Sequence, residues 1–318
     1  MTKLTASLRG LLAGATIAAA PVAATAQEFV NVLTGGTSGV YYPIGAALST
    51  LYGDKIEGVQ AQVQSTKASV ENLNLLQQGR GELALALGDS VLFAWEGNAE
   101  AGFNTPLSKL RGIAAAYPNF IQIAASKDSG ITTLADLAGK SLSVGAPKSG
   151  TELNTRAILG AAGMSYDNLG KVEYLPFAES VELQKNRQLD ATLQSAGIGV
   201  ASIKDLATSM PTTLVAIPSE IAESLGAPYV AGTIPAGTYE GQTEDVPTVA
   251  VMNFFVTHED VPEETAYQMT RLMFENLDTL IAAHAAARAI SLENALNGMP
   301  LPLHPGAERY YREAGLIQ

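Results

Sequence analysis

The sequence predicts an α/β protein built as two lobes joined by extended hinge strands, with a ligand cleft between them. Three observations carry this. Short apolar runs alternate with helix-periodic segments along the chain, the pattern of a mostly parallel sheet covered by helices. Two long apolar, strand-like segments, IAAAYPNFIQIAAS (113–126) and TVAVMNFFVTH (248–258), bracket a central α/β unit. Small polar loops stand before helix starts on both sides of the first of these segments. A chain that leaves one lobe, builds another and returns holds a ligand between them, at strand C-terminal ends. The expected boundaries are 27–117 with 245–318 for lobe one, and 118–244 for lobe two.

The elements follow in order. Residues 1–26 read as a cleavable export leader: Lys3 and Arg9 are basic, LLAGATIAAAPVAA (11–24) is apolar but too short to span a bilayer, and Ala24-Thr25-Ala26 has the A-x-A form. Cleavage is expected before Gln27, with release into the periplasm of a Gram-negative cell. FVNVL (29–33) is a strand, followed by Gly35-Gly36-Thr37-Ser38-Gly39 and a helix opening with Pro43 at its first position. VQAQVQS (59–65) is a strand, and Ser69 reads as the N-cap of the helix SVENLNLLQQ. LALAL (83–87), SLSVGA (141–146), VEYLPF (172–177) and DATLQS (190–195) are further strands. TELNTRAILGAAG (151–163) and VELQKN (181–186) are helical, and a long helix is expected from about Pro262 to Ala287. Gly53, Gly79 and Gly163 each follow a periodic run, where a left-handed cap is needed.

Composition removes several function classes. The net charge is −12, and loss of Lys3 and Arg9 makes it two units more negative. With no basic cluster, a nucleic-acid partner is not expected. The global field opposes an anion, so an anion site must come from local geometry. There is no cysteine, hence no disulfide and no thiol for lipid anchoring. Gly139-Lys140-Ser141 resembles the end of a phosphate loop, but Leu134 stands where a glycine is required. GGTSG lacks the dinucleotide spacing, and there is neither an H-E-x-x-H nor a G-x-S-x-G motif. Three histidines, far apart in sequence, and no cysteine leave little for metal binding or nucleophilic catalysis. Neither a cofactor nor an enzymatic activity is expected, and a monomer is the default state.

Candidate ligand-binding residues come from the small loops. Thr37, Ser38, Gly39, Val40 and Tyr41 precede a helix, where glycine lets backbone approach a ligand and free N–H groups favour an anion. Thr66, Lys67 and Ser69 form a second such loop, with Asn72 one turn further. Lys148, Ser149, Gly150 and Thr151 offer a third from the opposing lobe. Asp89 and the Gln194-Ser195 pair stand at strand ends, Gln194 being the candidate there, and Tyr117 lies in the first crossover strand, at the expected cleft floor. Uncharged groups that donate or accept as needed suit a small polar metabolite bound reversibly.

These loops, in this order, resemble the TAXI family of solute-binding proteins from tripartite ATP-independent periplasmic (TRAP) transporters. The likeness runs through GGTSGVYYPIGAAL, QSTKASVENLNLLQQGRGELALALGDS, ITTLADLAGKSLSVGAPKSGT, FENLD and the tail LPLHPGAERYYREAGL. It implies a type II periplasmic-binding-protein fold, a small carboxylate ligand such as glutamate or 2-oxoglutarate, and delivery to a TRAP membrane permease. By this resemblance Thr37–Tyr41, Thr66, Ser69 and Asn72 meet the ligand from lobe one, and Ser149–Thr151 close from lobe two. The chain departs from the family at Lys67-Ala68, where glycines are usual, and at Lys148, where one glycine is usual. Either lysine is therefore a candidate contact for a second carboxylate. At TLQSAGIGVASIK the family's aromatic and paired glycines are missing, which weakens the role of Gln194. A periplasmic ligand sensor of the same fold is the alternative reading.

Overall fold

The computed structural model describes residues 27–318 and, ahead of them, Thr2 alone. The expected leader and its cleavage site lie outside the described residues.

The first third alternates strands and helices as expected. The strand β1 (Glu28–Leu33) leads to helix α1 (Tyr41–Lys55), then β2 (Val59–Gln64), α2 (Ser69–Gln77), β3 (Leu83–Leu87) and α3 (Gly88–Glu96). A long strand, β4 (Leu110–Ser126), crosses to the second half. There β5 (Ser141–Ser143), α4 (Gly150–Ala161), β6 (Lys171–Glu173), α5 (Phe177–Lys185) and β7 (Ala191–Ala196) follow. Four elements outside the sequence reading come next: α6 (Ala201–Ser209), β8 (Thr212–Val215), α7 (Ser219–Leu225) and β9 (Tyr229–Ile234). The second long strand, β10 (Val246–His258), returns the chain, and α8 (Glu263–Glu275), α9 (Leu277–Ala283) and α10 (Pro305–Glu313) complete it.

The strands form one sheet in the order β2-β1-β3-β10-β4-β7-β5-β6, with β8 beside β4 and β9 beside β10. The sheet is mixed rather than mostly parallel. Each half has a parallel nucleus, β2-β1-β3 and β6-β5-β7. The crossover strands β4 and β10 pair antiparallel to each other and to their neighbours, because a chain that crosses and returns must reverse direction.

Several local expectations are corrected. Helix α1 begins at Tyr41, so Pro43 is its third residue; its missing N–H still falls among the first-turn donors that have no intrahelical partner. Ser69 is the first helical residue of α2, not the cap, and its hydroxyl accepts instead from the Leu87 N–H at 3.1 Å. Gly79 and Gly163 have φ of +64° and +72°, but Gly53 lies inside α1, which runs on to Lys55. The expected helix 262–287 is broken twice, at Asn276 and His284. The His284 ring accepts from the Ala286 N–H at 3.1 Å and starts a separate 3-10 turn, Ala285–Ala289.

One apolar cluster, with Ile123, Leu142, Ile158 and Val251, fills the second half. Another, with Leu33, Leu73, Phe103 and Phe254, fills one side of the first. Leu87 of the first half packs in the second-half cluster, and Leu153 of α4 packs in the first-half cluster. The two halves are therefore pressed together along a seam beside the cavity described next.

Candidate functional site

Four helix N-termini converge on one cavity of about 310 Å³. From the first half come α1, with the loop Gly35–Val40, and α2, with the loop Ser65–Ala68. From the second come α4, entered through Ser149, and α5, entered through Pro176. The floor includes Leu87, Asn119, Ser195 and Ala196, from the strand ends and the β4 crossover.

The helix starts differ in how their own N–H groups are used. Ser149 caps α4, its Oγ accepting from Glu152 at 3.1 Å. No side chain caps α1, α2 or α5. The first-turn N–H groups of a helix have no intrahelical partner, and the dipole makes that end favourable for an anion. At α2 the Glu71 N–H is already taken by the Lys148 carbonyl at 3.2 Å. The remaining first-turn N–H groups of the three ends without a side-chain cap form a concentrated donor field without any arginine.

Backbone placement of these loops is stabilised by side chains. The Thr66 hydroxyl donates to the Thr34 carbonyl and accepts from the Ala68 N–H, while the Asn72 amide donates to the carbonyls of Thr34 and Leu85 at 2.7 and 2.9 Å. Asn72 is fully buried behind the loop and braces it; it does not line the cavity. Tyr41 lines the wall, and burial raises its phenol far above the ordinary value, so it stays protonated and donates to Asn253.

Eleven of the sixteen residues expected from sequence line the cavity: Thr37 to Tyr41, Thr66, Lys67, Ser69, Ser149, Gly150 and Thr151. The other five stand outside it. Asn72 is the brace just described. Asp89 is buried in the seam, accepting from Asn154 Nδ2 and the Tyr229 hydroxyl at 2.6 Å each and from the Ser90 N–H at 2.7 Å. Burial pushes its carboxyl up, against the lowering effect of these donors. Tyr117 is buried behind Tyr41, its ring edge-on to it at 6.5 Å. Lys148, at φ +62°, is turned out to solvent. Gln194 faces away from the cavity and accepts from Ser202 at 2.6 Å; strand alternation puts its neighbour Ser195 on the cavity side instead.

Sequence reasoning missed Asn119 and the Pro176–Glu179 turn as cavity lining, and of the Gln194-Ser195 pair it chose the member that faces away. A polar Asn inside the apolar run IAAAYPNFIQIAAS was the available signal for the first. The Pro-Phe pair at the start of α5 was the signal for the turn: Phe177 packs across the seam toward Gly39, where an added Cβ would lie 3.8 Å from its ring.

The architecture, two α/β halves joined by paired crossover strands with a cavity between them, is the type II periplasmic-binding-protein fold. The chain belongs to the NMT1-like family, whose model matches residues 32–315. Solved structures share the fold at low identity. The alkanesulfonate-binding protein SsuA from Xanthomonas axonopodis pv. citri, bound to MOPS, is 18% identical, with a TM-score of 0.50 over 92% of this chain and 93% of its own. PhnD1 from Prochlorococcus marinus, in complex with methylphosphonate, is 12% identical, with a TM-score of 0.56 over 92% of this chain and 100% of its own. A putative L-cystine ABC transporter protein from Listeria monocytogenes is 14% identical, with a TM-score of 0.51 over 80% and 94%.

Proposed function

We propose that this chain is an exported solute-binding receptor that captures a small carboxylate and hands it, unchanged, to the membrane permease of a TRAP transporter. The observation that carries the reading is the meeting of four helix N-termini, three of them without a side-chain cap, at one cavity between the two halves. A desolvated carboxylate needs several hydrogen bonds to offset the loss of water, and first-turn N–H groups supply them. The cavity volume of about 310 Å³ lies at the small end for ligand pockets, which suits glutamate, 2-oxoglutarate or a similar organic acid. The TRAP assignment rests on the sequence resemblance, and export on the leader-like residues 1–26. The lobes of this reading are 27–117 with 245–318 and 118–244, working as a monomer that closes on its ligand.

Lys67 is the cation at the cavity and Glu179 the acid, both exposed at the rim. In this reading Lys67 meets a second carboxylate, so the receptor prefers dicarboxylates; Lys148 has no part in it. Thermal-shift measurements on residues 27–318 against organic acids and amino acids test the reading. A true ligand at about 100 times its dissociation constant adds about 2.7 kcal/mol of stability. Lys67→Ala is expected to weaken 2-oxoglutarate and glutamate about tenfold relative to glutamine, and Lys148→Ala to change neither. No stabilisation by any carboxylate would sink the reading; an unchanged preference in Lys67→Ala would remove Lys67 from it.

A further inference from the structure

A chain of buried hydrogen bonds runs from one wall of the cavity to the other through both crossover strands. It starts at Tyr41, whose hydroxyl donates to Asn253 Oδ1 on β10. The Asn253 amide nitrogen donates to the Tyr117 carbonyl and to Asn119 Oδ1, both on β4, at 2.7 Å each. The Asn119 amide nitrogen in turn donates to the Ser195 carbonyl on β7 at 2.9 Å. Tyr41, Asn119 and Ser195 line the cavity; Asn253 is fully buried beneath it.

Asn253 stands where the register of the crossover pair slips. Met252 faces Pro118, but Phe254 faces Ala115, so Ala116 and Tyr117 together oppose Asn253 alone. A bulge of this kind interrupts the ladder and bends the strands. The Asn253 side chain takes up the Tyr117 carbonyl at that point, which makes it a polar joint at the crossing.

The side chains that link this chain satisfy one another. What is left over is the Ser195 hydroxyl. Ser195 is 5% exposed, lines the cavity, and its Oγ has no hydrogen-bond partner among the described residues. An unpaired buried hydroxyl is costly, and a ligand oxygen in the cavity would relieve that cost. The Tyr117 hydroxyl is also buried and unpaired, but it does not line the cavity.

We infer that Ser195 is a ligand-contacting residue that donates its hydroxyl to an oxygen of the ligand at the cavity floor, and that Asn253 and Asn119 are positioning residues that hold it at a set distance from Tyr41. The ligand is then an oxyacid long enough to reach from the helix N-termini to the floor. This rests on the reading of the cavity as an oxyanion site and adds the group that reads its far end.

The test uses residues 27–318 with four probes: 2-oxoglutarate, L-glutamate, taurine and methylphosphonate. With whichever binds the wild type most tightly, Ser195→Ala is expected to raise the dissociation constant about tenfold. Its melting temperature without ligand should stay the same or rise, because the lost hydroxyl bonds nothing in the protein. Asn253→Asp keeps the acceptor for Tyr41 but loses both donors; it is expected to weaken binding in the wild type and to add little in the Ser195→Ala background. Tyr41→Phe provides a milder second variant for the same cycle. An unchanged dissociation constant in Ser195→Ala, or a clear fall in its unliganded melting temperature, overturns the contact. Fully additive losses overturn the positioning role. Binding of taurine or methylphosphonate alone overturns the carboxylate reading while leaving Ser195 open to the same measurement, and binding of none of the four overturns both.

Discussion

Ala68 and Lys148 hold backbone conformations that favour glycine. Ala68 has φ +72° and ψ −145°, and Lys148 has φ +62°. Both stand where the resembling family usually carries glycine, so the structure supplies a reason for that glycine: the chain turns left-handed at both positions, with the Ala68 N–H donating to Thr66 Oγ1 and the Lys148 carbonyl accepting from the Glu71 N–H. A non-glycine residue there costs on the order of 1–3 kcal/mol. Ala68→Gly is therefore expected to raise stability by about 1 kcal/mol, once the greater freedom of glycine in the unfolded chain is subtracted. Urea denaturation would show the gain as a higher midpoint at constant slope, and a lower midpoint would contradict it. At this scale the loops were readable from sequence, because small residues before a helix start have few other uses. The side of a strand was not: Gln194 and Ser195 are adjacent, both polar, and only the register of β7 on β4 decides which one faces the cavity.

The fourth helix carries the contact between the two halves. Along α4, Gly150, Leu153 and Asn154 share one face by their spacing. Leu153 enters the first-half core, and Asn154 donates to Asp89. Arg156 reaches the Glu100 carbonyl at 3.0 Å. Gly150 allows the closest approach: a Cβ there would lie 2.5 Å from Leu87 Cδ1 and 2.7 Å from Ser69 Oγ. Gly150→Ala should consequently wedge the halves apart, lowering ligand affinity at least tenfold and also loosening the unliganded seam, because a Cβ that close to Leu87 and Ser69 forces them to shift. Calorimetric titration reads the first effect, and small-angle scattering should find a larger radius in the variant with ligand present; normal affinity would show that α4 does not limit closure. The existence of α4 was clear from its periodicity, whereas its Ser149 cap is a finding of the structure. The breaks in the C-terminal helix were not, because Asn276 and His284 interrupt an apolar pattern that continues through both.

Across the whole molecule, buried titratable groups act in opposite directions on stability. Burial lowers the pKa of His258, His284 and His304 from the ordinary 6.5. The unfolded chain then binds more protons, so their contribution is lost as pH falls below 6.5. Asp89 is raised from 3.8 by burial, so the fold holds that proton more tightly, and stability from it grows as pH falls through its raised value toward 3.8. The melting temperature is expected to fall as pH drops below 6.5, and that of Asp89→Asn, which removes the opposing contribution, to fall more steeply as pH is lowered further toward 3.8. Parallel or shallower curves for the variant would show that Asp89 is not held as its burial implies.

By itself the sequence determined the α/β alternation, the two long crossover strands and the three loops that supply most of the cavity wall. These follow from local chemistry, namely apolar periodicity, turn residues and helix starts, which any window of the chain displays. Only the tertiary structure decided that the sheet is mixed, that Asp89 and Lys148 lie off the cavity, and that Asn119 and Ser195 lie on it. Those outcomes depend on strand register and on how closely the two halves approach. Both are set by contacts between residues more than sixty positions apart, such as Asn119 with Ser195, Asn154 with Asp89 and Tyr41 with Asn253, and no local pattern encodes such a pairing.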